Sequence, residues 1–75
     1  MTRDEVLSQL TAARIEYFRL VQAGADNYDN PAWAACMRRL DDLNGQVYDL
    51  GMDVEAVNRK ICLDHGLIPR GSSGH

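Results

Sequence analysis

Between Thr2 and Gly66 apolar residues return every three or four positions in three runs, each opened by a capping residue and closed by a glycine. Only the α-helix gathers that spacing onto one face, so the pattern commits the chain to an all-α fold. The first run is Val6, Leu10, Ala13, Tyr17 and Leu20, a strict 4-3-4-3 spacing. Leu7, Phe18 and Val21 widen it, and Glu5, Glu16 and Arg19 lie opposite. Thr2 and Glu5 form a capping box ahead of it, Met1 can staple onto Val6, and Gly24 is placed to end it. The spacing predicts a helix over residues 2–23.

Ala25 to Asn30 is a polar loop, after which Asn30 caps a second helix with Pro31 at its first position. Its stripe is Trp33, Cys36, Leu40, Leu43, Val47 and Leu50, with Met37 and Tyr48 at one edge. Gly45 falls mid-helix on the polar side, where it marks either a close approach or a tolerated flaw. Gly51 ends this helix, predicted over 31–50, and Met52 can fold back onto Val47. Asp53 caps a third helix over 53–65 with Val54, Val57 and Ile61 as its apolar face and Gly66 as its stop. The short loop makes the two long helices an antiparallel hairpin, with the short third helix packed on it. Residues 1–67 thus read as one helical domain and 68–75 as a C-terminal coil. Leu67-Ile68-Pro69-Arg70-Gly71-Ser72 resembles a thrombin-cleavage linker, so the coil reads either as a tag remnant or as native chain.

Composition narrows the function. A chain of 75 residues with 45% hydrophobic and 25% charged residues has the profile of one folded domain with a small core. A net charge of −3 argues against indiscriminate binding to nucleic acid or anionic lipid. No apolar run reaches the roughly 18 residues of a membrane span. Two cysteines build no disulfide framework, so reduced thiols and a cytoplasmic setting are expected.

The candidate chemistry is sparse. Cys62 and His65 supply half of a zinc site, and only Cys36, inside an apolar stripe, could be a third ligand. Asp26-Asn27-Tyr28-Asp29-Asn30 lacks the glycine and the closing glutamate of a calcium loop. Ser8 has no histidine placed to activate it, and adjacent Asp41 and Asp42 point about 100° apart. No metal, no cofactor and no enzymatic activity are therefore expected. Arg14 intrudes into the apolar arc of the first helix, where snorkelling or pairing with an acid across the hairpin is expected.

Residues 47–61 carry Leu50 and Gly51 at a turn, Met52 after it, and Ala56, Val57 and Ile61 along the following helix. This segment resembles the helix-turn-helix core of the small phage repressors. The resemblance implies a DNA-binding regulator whose second helix enters the major groove. Val54, Glu55, Asn58 and Arg59 would then be at the reading positions and Lys60 on phosphate. Against that reading stands charge: residues 26–53 hold six acids and two arginines, net −4, beside the implied DNA surface.

The favoured reading is a non-enzymatic interaction or regulatory module that self-associates. Leu7, Ile15 and Phe18 on the first helix and Trp33, Met37 and Tyr48 on the second exceed what one hairpin covers. A homodimer or higher homo-oligomer, packed as a dimeric helical bundle, would bury the surplus. The acidic middle then stays solvated as a docking face for a basic protein partner.

Overall fold

Each predicted run is one helix. A computed structural model describes residues 2–67: α1 spans Arg3–Gln22, α2 Pro31–Asp49 and α3 Val54–His65. Among the described residues there is no strand. The expected staple of Met1 on Val6 and the coil over 68–75 lie outside the described residues. The helices are shorter than expected at their ends because Thr2, Ala23, Leu50 and Asp53 are caps, half in and half out of the helical conformation.

The caps are local chemistry. The Thr2 hydroxyl accepts the Glu5 backbone N–H at 3.2 Å, and the Glu5 carboxylate accepts the Thr2 N–H at 3.2 Å and its hydroxyl at 2.9 Å. Those bonds favour the charged carboxylate and hold the Glu5 pKa below its ordinary value. Asn30 accepts from Ala32 N–H and Asp53 from Ala56 N–H. At the other ends the chain doubles back: Ala25 N–H donates to the Leu20 carbonyl, Met52 to Val47 and Leu67 to Cys62. Gly51 stands at φ 79° within this turn, a left-handed conformation that costs a residue with a Cβ about 1–2 kcal/mol. Gly45 sits in unbroken helix, and a Cβ built there meets nothing within 4 Å, so it is a tolerated flaw within this chain.

Two contacts fix the register of the hairpin. The Cys36 Sγ donates to the Ala13 carbonyl at 3.6 Å, and Tyr17 and Trp33 place their ring centroids 5.2 Å apart. A step of four forward on α1 is a step of three back on α2, which is antiparallel packing. Ala13 and Cys36 are both small, so the helices approach closely where they meet. Val6, Leu10, Ala13, Cys36, Leu40, Leu43 and Val47 form the core, and Ile61 of α3 completes it. Burying one such leucine or isoleucine contributes roughly 1.5–3 kcal/mol. The molecule is a plate of 33 × 33 × 14 Å.

Two expectations about surplus surface are corrected here. Trp33 needs no second copy: it is 8% exposed, covered within the hairpin by the tilted Tyr17 ring. Met37 is half-buried and packed against the core.

Candidate functional site

Arg14 neither snorkels nor meets an acid. Its Nε–H donates to Asn58 Oδ1 at 2.6 Å, and its guanidinium lies 5.4 Å from the centroid of the Tyr17 ring. Asn58 in turn donates from Nδ2 to Asn44 Oδ1 at 2.9 Å and to the Val54 carbonyl at 2.8 Å. All three helices thus contribute one side chain to a single half-buried network. No buried side-chain nitrogen or oxygen among the described residues lacks a partner. Sequence reasoning singled out Arg14 as an intrusive polar group, assigned Asn58 to a DNA-reading position through the resemblance, and missed Asn44. The available signal was an asparagine beside Leu40, Leu43 and Val47, at the edge of the α2 stripe.

The network also places the positions assigned by the helix-turn-helix resemblance. Val54 packs against the core, and Asn58 turns inward with both its oxygen and its amide hydrogens engaged. Glu55, Arg59 and Lys60 are exposed. Arg59 lies 3.6 Å from Glu55 and Lys60 2.9 Å from Asp64, so each cation has an acid of its own helix beside it. The outer face of α3 also carries Leu63, 67% exposed.

Cys36 lines a shallow cleft of about 180 Å³ between α1 and α2, with Ala13, Ala32 and Ala35 on its walls and Glu16 and Arg39 at its rim. Burial, with Glu16 adding to it, pushes the Cys36 thiol pKa up, so the thiol stays protonated near neutral pH. Cys62 is half-buried and His65 exposed in the last turn of α3. Among the described residues no three of His, Cys, Asp and Glu converge as metal ligands. The Asp26–Asn30 segment forms a turn, with Asn27 Oδ1 accepting the Asp29 N–H at 3.1 Å.

What remains is surface. Leu7, Thr11, Ile15 and Phe18 fall within about 80° of arc on α1, roughly 140° round the helix from the core stripe. All four are half-buried, and Leu7, Ile15 and Phe18 lie outside the core. Thr11 does not interrupt this stripe with a free hydroxyl, because its Oγ1 donates to the Leu7 carbonyl at 2.8 Å. On α2, Tyr48 is 74% exposed. Comparison with protein-family models, with curated proteins and with solved structures finds no match to this chain. No helix among the described residues is long and apolar enough to cross a membrane.

Proposed function

We propose that this chain is a self-associating helical interaction module, without catalytic activity, metal or cofactor, that works as a homodimer or larger assembly in the cytoplasm. The observation that carries the reading is the outward stripe of α1: Leu7, Thr11, Ile15 and Phe18, with the one hydroxyl among them turned back on its own helix. Such a stripe is self-complementary about a two-fold axis, so two copies of α1 can pack along it. The stripe spans twelve residues, about 16 Å from first to last along the helix. Trp33 and Met37 drop out of this interface, and Tyr48 stands on another helix with room for a separate contact.

Magnitudes decide how tight the assembly is. Leu7, Ile15 and Phe18 are already largely covered within one chain, so completing their burial contributes less than about 1 kcal/mol each. The dimer is therefore weak and reversible, with Kd well above nanomolar. Asp41, Asp42 and Asp49 on the exposed side of α2 remain solvated in it, and a basic protein is the partner that face would suit.

Phe18→Asp tests the reading. A charge at the C-terminal end of the packed stripe shifts a dimer to monomer while α1 stays helical by circular dichroism. Unchanged mass and unchanged concentration dependence of melting in Phe18→Asp would sink the proposed interface.

A further inference from the structure

The third helix is attached to the hairpin differently from the way the hairpin is held to itself. Of the nine buried apolar side chains among the described residues, α3 supplies only Ile61, while Met52, Val54 and Val57 are half-buried against the core. The rest of the attachment is polar and runs through one residue. Asn58 accepts from Arg14 of α1 and donates to Asn44 of α2, so a single side chain ties α3 to both long helices. Only residues 50–53 join α3 to α2, and Gly51 at φ 79° forms their bend.

We propose that α3 is a hinged strap, which opens as one unit about residues 50–53 while the α1–α2 hairpin stays folded, with the Asn58 hydrogen bonds setting how often it opens. Eight of the nine buried side chains stand on α1 and α2, so the hairpin has apolar packing of its own to hold it when α3 leaves. Twelve residues are too few for a stable isolated helix in water, so α3 loses its helical hydrogen bonds together once it lifts. Opening uncovers the side of the core that Ile61 closes, which makes access to the hairpin interior depend on one asparagine. The strap does not rest on self-association: it holds whether or not the α1 stripes pair.

Native-state amide hydrogen exchange on the full chain tests it. Amides in the body of α3 should exchange through a common opening, at least about tenfold more frequent than the opening that exposes Leu10, Leu40 and Leu43. Asn58→Ala should speed exchange in α3 by about tenfold more and leave the hairpin amides unchanged, the factor expected for hydrogen bonds that include a charged donor. Alanine is also the better helix former, so the acceleration measures the lost latch and not a weakened helix. Asn44→Ala, which leaves α3 itself unaltered, should act in the same direction by a smaller factor. Exchange of α3 only at the hairpin's rate, or equal acceleration of both by Asn58→Ala, would overturn the strap. Failure of both variants to move α3 would overturn the latch.

Discussion

Arg14 shows how one side chain can be misread from its own helix and understood from its neighbours. Within α1 it is a charge in an apolar arc; in the fold it meets an amide oxygen at 2.6 Å and an aromatic face. Its planar Nε–H is the donor that reaches Asn58, and a lysine has none at that position. Arg14→Lys should therefore cost about 1 kcal/mol or more in urea denaturation, although charge is conserved. Cys36 gives a second prediction at this scale. Burial raises its folded pKa above the ordinary 9.0, so the folded state holds the thiol proton more tightly than the unfolded state. That contribution to stability is complete below pH 9.0 and is lost as pH rises through the folded pKa. Stability followed through alkaline pH should fall faster for the natural chain than for Cys36→Ala, and iodoacetamide should modify Cys62 before Cys36. Equal alkylation rates for the two thiols would contradict the burial argument.

At the scale of the element, helix α2 is built against its own dipole. Its first turn has no acid and its last turn no base, while Asp49 stands at its C-terminal end. Asp49→Lys should stabilise the fold by about 0.3–1 kcal/mol at low salt and less at high salt. Gly45→Ala fills open space on the same helix and should add about 1 kcal/mol, raising Tm by several degrees. The helices and their ends were legible in the sequence because capping is decided within a few residues: Thr2 with Glu5, Asn30 with Pro31, Asp53 with Ala56. What covers Trp33, and what Arg14 binds, was not legible, since both depend on how separate helices are placed. Tyr17 lies sixteen positions before Trp33, and Asn58 lies 44 beyond Arg14. The same limit applies to the helix-turn-helix resemblance, which reads α3 as a surface although Val54 and Asn58 face inward. With Arg59 and Lys60 beside their own acids, no duplex binding is expected at physiological salt. A genomic selection that enriches one sequence, with affinity lost in Arg59→Ala, would favour a DNA-binding regulator instead.

The whole molecule has one small core, and a chain of this size has only a few kcal/mol of stability in reserve. Tyr17 and Trp33 close one end of the hairpin, Ile61 closes one side, and the Leu7–Phe18 face of α1 is left outward. Folding and association are then linked: pairing of the stripes should raise the apparent melting temperature as protein concentration rises. Sedimentation equilibrium from about 10 μM to 1 mM measures this directly. Self-association predicts a weight-average mass that climbs from one chain toward two across that range. A mass of one chain at every concentration, with melting independent of concentration, would contradict it.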